Sequence, residues 1–266
     1  MKVVLITGVS SGFGFAIAQR LAKSNYRVYG TTRGNVDPIP GVNYLRMDVT
    51  SSESINQVVD ELYKKEGRID VLINNAGMGI SGPLEFTQIA DVQHQMDVNF
   101  LGVVRVTQAV LPIMREQSNG LIISVSSIGG LIGLPFQGFY SASKFAIEGF
   151  CQALYNEVKQ FNIKVVVINP GDFATRFTSN RKCIDNENSN TIYPNFQKTL
   201  SIIEHSEQNG LIPDVLAKNI EKIIERNKPS TRYVIASPLQ KASVLLKRLV
   251  PEKLFLRVIG KYYLPG

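Results

Sequence analysis

The 266 residues carry 29 Lys and Arg against 22 Asp and Glu, a net charge of +7, with 44% hydrophobic residues. That share supports a large buried core rather than a disordered chain, and no uninterrupted apolar run reaches the ~18 residues of a membrane span. Two separated cysteines (Cys151, Cys183) and two isolated histidines (His94, His205) argue against a disulfide framework and a metal centre. They point instead to free thiols in a reducing, cytoplasmic setting. Lys2 and the short apolar run after it do not resemble a secretory leader.

Short apolar runs alternate with helical patterns, the signature of β-α units around a parallel sheet. Strands are predicted at 3–7, 27–31, 43–46, 71–74, 121–125, 164–169 and 232–235. Val3-Val4-Leu5-Ile6 and Val165-Val166-Val167-Ile168 are continuous runs, as in strands covered on both faces by helices. Helices are predicted at 15–23, at 52–65 behind a capping box of Thr50 and Glu53, at 92–115 with Pro112 near its end, and at 139–161. The fold class is therefore α/β, a doubly wound parallel sheet of about seven strands with helices on both faces. With no linker and no internal repeat, 1–266 reads as a single domain.

Segment 172–211 breaks the rhythm. It is polar at 185–190 yet carries Phe173, Phe177, Ile184, Tyr193 and Phe196, and reads as a long irregular substrate lid. The tail at 238–266 holds Lys241, Lys247, Arg248, Lys253, Arg257 and Lys261 against one acid, Glu252, and so carries +5 of the +7. The rest is nearly balanced, which argues against nucleic acid as a partner. In the tail, Leu245, Leu246, Leu249, Leu254, Leu256, Val258 and Ile259 mix with the basic residues, and Pro251 splits the segment in two. Packing on the substrate pocket comes first as its expected role, ahead of peripheral membrane contact and self-association.

Directly after the first strand, Thr7-Gly8-Val9-Ser10-Ser11-Gly12-Phe13-Gly14 leads into a helix. A glycine turn there lets backbone N–H groups approach a pyrophosphate, which the helix N-terminus stabilises. Gly8, Ser10, Ser11, Gly12, Phe13 and Gly14 are thereby candidate dinucleotide ligands. The same residues spell G-x-S-x-G through Gly8, Ser10 and Gly12, with Asp172 and His205 following in serine-hydrolase order. Against that alternative, only seven residues precede Gly8, too few for the earlier strand that supplies an oxyanion loop. At the end of the second strand stand Thr32 and Arg33, where no acid is available for a ribose 2′-hydroxyl. Arg33 offers a permanently charged fork suited to a 2′-phosphate, so NADP(H) is expected in preference to NAD(H).

Tyr140 and Lys144 are four residues apart, one turn along one helix face. A free phenol has a pKa of ~10, and a neighbouring cation is expected to move it toward the working range of a general acid or base. Ser127 follows the strand at 121–125, where its hydroxyl can hold a substrate oxygen beside the phenol; Ser124 and Ser126 are weaker serine candidates on spacing. Asn74-Asn75-Ala76-Gly77 closes the fourth strand, Asn99 lies in the predicted helix, and Pro170-Gly171 ends the sixth strand with Thr175 beyond.

In this order and spacing the motifs resemble short-chain dehydrogenases over nearly the whole chain, on a Rossmann fold. The segment 126–148 is similar to 17β-hydroxysteroid and retinol dehydrogenase-like members. The resemblance implies Tyr140 as general acid in reduction, Lys144 as its activator and ribose ligand, Ser127 as holder of the substrate oxygen, and Asn99 as anchor of a water in a proton relay. It implies cofactor contacts from Asp48 and Val49 to adenine, from Asn75, Ala76 and Gly77, from Pro170 and Gly171, and from Phe173 and Thr175 to the carboxamide and diphosphate. A homodimer or homotetramer is implied as well. The apolar loop after Ser127 and the lid aromatics indicate a small hydrophobic ketone, aldehyde or alcohol as substrate. A non-catalytic NADP sensor is the further alternative.

Overall fold

The computed structural model describes residues 1–184 and 189–264. In chain order the first elements are β1 (Lys2–Ile6), α1 (Gly12–Ala22), β2 (Tyr26–Thr32), β3 (Val42–Arg46), α2 (Ser52–Glu66) and β4 (Val71–Asn74). Then come β5 (Ile80–Ser81), α3 (Ile89–Met96), a π-helical turn (Asp97–Leu101), α4 (Gly102–Glu116), β6 (Gly120–Val125), α5 (Gly138–Val158) and β7 (Ile163–Pro170). The chain closes with β8 (Lys182–Cys183), α6 (Ser189–Ile192), α7 (Phe196–Gln208), α8 (Pro213–Glu225), β9 (Arg232–Ile235), α9 (Pro238–Leu249) and α10 (Glu252–Tyr263).

Among the described residues, seven strands form one parallel sheet in the order β3-β2-β1-β4-β6-β7-β9. Successive side chains of a strand point to opposite faces. Accordingly Val3 and Leu5 join the core under α2, α4 and α5, while Val4 and Ile6 join the core under α1 and α8. In β7, Val165 and Val167 divide from Val166 and Ile168 in the same way. Both faces are covered, which is why these strands read as unbroken apolar runs. Strand order reverses between β1 and β4, and that reversal leaves a crevice beyond their C-terminal ends.

Helix α2 is capped by Ser51, whose hydroxyl accepts from Ser54 N at 3.2 Å, and not by Thr50. The Thr50 hydroxyl instead donates to Asp48 Oδ1 at 2.8 Å. Ser51→Ala is expected to cost ~1 kcal/mol of stability, read as a lower urea midpoint at unchanged slope. The long helix at 92–115 is two helices joined by the π turn. Its full run, Ile89–Glu116, has the length and hydropathy to cross a membrane, but Val106, Val110 and Met114 are spent on the core.

The segment expected as an irregular lid, 172–211, holds regular elements among its described residues. Leu211 N donates to Asp172 O at 3.0 Å and Ala174 N to Leu211 O at 3.0 Å, so the two ends of 172–211 are pinned together. Strand β8 pairs with β5, and α7 seats Phe196, Thr199, Leu200 and Ile203 inward. Of the polar stretch 185–190, residues 185–188 lie outside the described residues.

Candidate active site

A cavity of about 500 Å³ is lined both by the glycine turn at the β1–β4 crevice and by the first turns of α5. It takes in Gly8, Ser10, Ser11, Gly12, Phe13, Arg33, Asp48, Val49, Asn75, Ala76 and Gly77 from the sequence expectations, then Ser127, Tyr140, Lys144, Pro170, Gly171, Phe173 and Thr175. Gly14, Thr32 and Asn99 do not line it. A Cβ on Gly14 would lie 2.1 Å from Gly8 O, so this glycine lets α1 pack against its own turn. The Thr32 hydroxyl bonds within its turn, donating to Gly34 O at 2.6 Å, and Thr31 faces the cavity instead.

The turn fits a dinucleotide. Gly8 and Gly12 adopt φ of 72° and 57°, a region that side chains disfavour. Ser11 stands at the N-cap of α1 without bonding the first-turn amides, which leaves those N–H groups for an anion. Asn75 Nδ2 donates to Thr7 O at 3.0 Å and Gly8 O at 2.9 Å, and the Thr7 hydroxyl accepts from the amides of Asn75 and Ala76. These bonds hold the turn rigidly against the end of β4. At the other end, bonds from the Thr50 amide and hydroxyl, with the charge of Arg33 nearby, hold the Asp48 carboxyl below its usual range.

Tyr140 and Lys144 sit one turn apart on α5, and the ammonium lies 5.8 Å from the phenol ring centroid. The Ser127 hydroxyl, which accepts from Gly129 N at 2.9 Å, lines the cavity beside Tyr140. Burial pushes the phenol up to about 12, with the Ser127 hydroxyl opposing. This reverses the expected direction: desolvation dominates at this phenol, and Lys144 Nζ donates to Val125 O at 2.9 Å. Burial lowers Lys144 to about 8, against the pull of Glu148 one turn further along α5. Glu148 is in turn held by Asn169 Nδ2 at 2.6 Å and Arg232 at 2.6 Å.

Asn99 is fully buried and supports from behind. Its Oδ1 accepts from Met78 N at 2.8 Å, and its Nδ2 donates to Met78 O at 2.9 Å and Ser143 Oγ at 3.0 Å. With those bonds its amide ties the loop after β4 to α5, and the water-anchoring role finds no free side-chain donor. His205 is exposed on α7 with its ring against Asn209, away from the cavity that holds Ser10 and Asp172, so the hydrolase triad does not assemble.

Several lining residues have no motif in the sequence. Phe177 packs on the Tyr140 ring at 5.6 Å, and Ile203, Ser206 and Glu207 of α7 close one wall. Glu207 accepts from Thr178 Oγ1 at 2.7 Å and pairs with Arg181. Asp172 and Tyr263 also reach the cavity. Burial and the Glu207 charge push Asp172 up to about 6. The spacing of Phe196, Thr199, Leu200 and Ile203 is the signal that marks α7 as a helix with an inward face.

Residues 2–184 match the short chain dehydrogenase family. Over 263 residues the chain is 45% identical to a 3-ketodihydrosphingosine reductase of Bacteroides thetaiotaomicron, covering 98% of each. It is 34% identical to retinol dehydrogenase 8 of Bos taurus, covering 92% of this chain and 77% of that one. It is likewise 34% identical to human 17-beta-hydroxysteroid dehydrogenase type 1, covering 87% and 76%. Among solved structures, a short-chain dehydrogenase from Streptomyces avermitilis superposes with a TM-score of 0.82 at 28% identity, covering 98% of this chain and 95% of that one. ElxO with NADP bound superposes at 0.72 and 28% identity, covering 88% and 96%. The chain belongs to the short-chain dehydrogenase/reductase family, and it is an oxidoreductase acting on CH–OH and carbonyl groups.

Proposed function

We propose that this enzyme uses NADPH to reduce a long-chain hydrophobic ketone bearing an amino group beside the carbonyl. The observation that carries the reaction is the meeting of Ser127, Tyr140 and Lys144 on the wall of the cavity that the glycine turn also lines. Gly8, Ser10, Ser11 and Gly12 would hold the diphosphate, Arg33 the 2′-phosphate, Asp48 and Val49 the adenine, and Asn75, Ala76, Gly77 and Lys144 the ribose. Pro170, Gly171, Phe173 and Thr175 would meet the carboxamide end. The bound cofactor supplies the hydride. Ser127 orients the carbonyl oxygen, Tyr140 gives it a proton, and Lys144 keeps a positive charge beside the phenol as that proton leaves.

The amino-ketone assignment draws on the 3-ketodihydrosphingosine reductase at 45% identity and on Asp172. This carboxyl lines the reaction cavity, and no basic residue forms a salt bridge with it among the described residues. Its neighbours are the Gln240 amide, Glu207 with its partner Arg181, and Tyr263. A substrate ammonium would be its natural counter-ion. Assaying 3-ketodihydrosphingosine, retinal and estrone with NADPH is the test, and the amino ketone should lead by ~tenfold or more in kcat/KM. A lead for retinal or estrone would sink the substrate assignment and leave the chemistry standing.

Asp172→Asn should raise KM for the amino ketone ~10- to 100-fold, the range of a charge-assisted hydrogen bond, and leave ketones without an amine unchanged. The wild-type pH profile checks the same point. A carboxyl with its pKa at about 6 is neutral below that value, so KM for the amino ketone should rise as pH falls through about 6. An equal rise for amine-free ketones would remove Asp172 from this role.

A further inference from the structure

One face of α9 and α10 docks on the body, with Leu246, Val250 and Ile259 partly buried there. Val244 and Phe255 are buried with Ile128, Ile132 and Ala236 in a small cluster apart from the two main cores. The outward faces are apolar. Leu245 and Leu249, one turn apart on α9, are 56% and 72% exposed; Leu254 and Val258, one turn apart on α10, are 49% and 43% exposed. Lys241 and Arg248 flank the first strip, and Lys253, Arg257 and Lys261 flank the second, all exposed. None of these five is in a salt bridge among the described residues, and Glu252 is the one acid of the two helices.

An apolar strip bordered by unpaired cations matches the boundary between anionic headgroups and acyl chains. A second copy of the chain is a poor cover, because face-to-face contact would bring five positive charges against five. Both helices also reach the reaction cavity through other residues. Tyr263, at the end of α10, lines it and accepts from Thr199 Oγ1 of α7 at 2.6 Å, and Gln240 of α9 meets Asp172.

We propose that α9 and α10 form a peripheral membrane-docking surface for anionic lipid. Leu245, Leu249, Leu254 and Val258 enter the interface, and Lys241, Arg248, Lys253, Arg257 and Lys261 contact the headgroups. The surface stands whatever the substrate. Its use, presenting the cavity to a ketone held in the bilayer, rests on the proposed reduction of a long-chain ketone.

The experiment is co-sedimentation of the full chain with vesicles of phosphatidylcholine containing phosphatidylglycerol, and with phosphatidylcholine alone, at low and high salt. Binding should require the anionic lipid and weaken at high salt. Two triple variants, Leu245→Gln/Leu249→Gln/Leu254→Gln and Lys241→Glu/Arg248→Glu/Arg257→Glu, should each bind at least ~tenfold more weakly. Their thermal midpoints and circular dichroism should match wild type, since the altered side chains point outward. Three results would overturn the proposal: no binding to anionic vesicles at low salt, undiminished binding by folded variants, or light scattering that shows the glutamine variant turning a stable oligomer into a monomer. The last result would make the strip a contact between copies. Sedimentation reads no turnover, so a wrong substrate assignment leaves this test intact.

Discussion

Replacing Tyr140 by phenylalanine is expected to lower kcat on the order of 10²- to 10⁴-fold while NADPH binds as before, because the change removes only the proton donor. The ring survives and keeps its packing on Phe177 at 5.6 Å, so cavity shape is preserved. Lys144→Ala should damage both turnover and cofactor affinity, since this side chain is assigned to the phenol and to the ribose. The pH dependence follows from the two shifts. With the phenol at about 12, Tyr140 stays protonated throughout the ordinary assay range, so reduction has its donor at every pH. Lys144 at about 8 loses its charge above that value, and reduction should decline there. Oxidation needs the phenolate and should instead rise with pH until the lysine is lost. Near-normal turnover by Tyr140→Phe, with stopped-flow reading the chemical step, would refute the assignment.

The parts of this molecule that were legible in the sequence are those written in local patterns. Strands 71–74 and 232–235 appear with the predicted bounds, because a buried strand must be a short apolar run between turn residues. Tyr140, Lys144 and Ser127 were legible because one helix turn and one strand end bring them together. Local reading also misleads. Helix α1 begins at Gly12 rather than at residue 15, since Gly12 and Gly14 lower helix propensity even where the anion-binding turn runs straight into the helix. The π turn at Asp97–Leu101 leaves the apolar pattern of its flanking helices unbroken, and so reads as one helix. Contacts distant in sequence left no pattern at all. Tyr263 and Asp172 reach a cavity organised around Tyr140 only because α10, α7 and the pinned ends of segment 172–211 converge there. The phenol's pKa direction was missed for a related reason: spacing reveals a nearby lysine and does not reveal desolvation.

Arg33→Ala is expected to weaken NADPH on the order of ten- to a hundredfold in kcat/KM, the range of a lost charge-assisted contact of about 1.5–3 kcal/mol, and to leave NADH nearly untouched. The argument begins at the end of β2. In a doubly wound sheet the residue there faces the adenosine ribose, and an acid would bind its 2′-hydroxyl and repel a 2′-phosphate. Here Thr32 closes its hydroxyl onto Gly34, which leaves Arg33 as the charged group of that turn on the cavity wall. The Asp48 carboxylate on the same wall is tied by two bonds from Thr50, so it is a weak competitor for the ribose. Arg33→Asp should go further than alanine and turn the preference toward NADH, because it replaces attraction by repulsion at the 2′-phosphate. Steady-state kinetics with both cofactors, in wild type and in the two variants, decide the matter. A wild type that prefers NADH, or an alanine variant that loses both cofactors equally, would show that Arg33 does not read the phosphate.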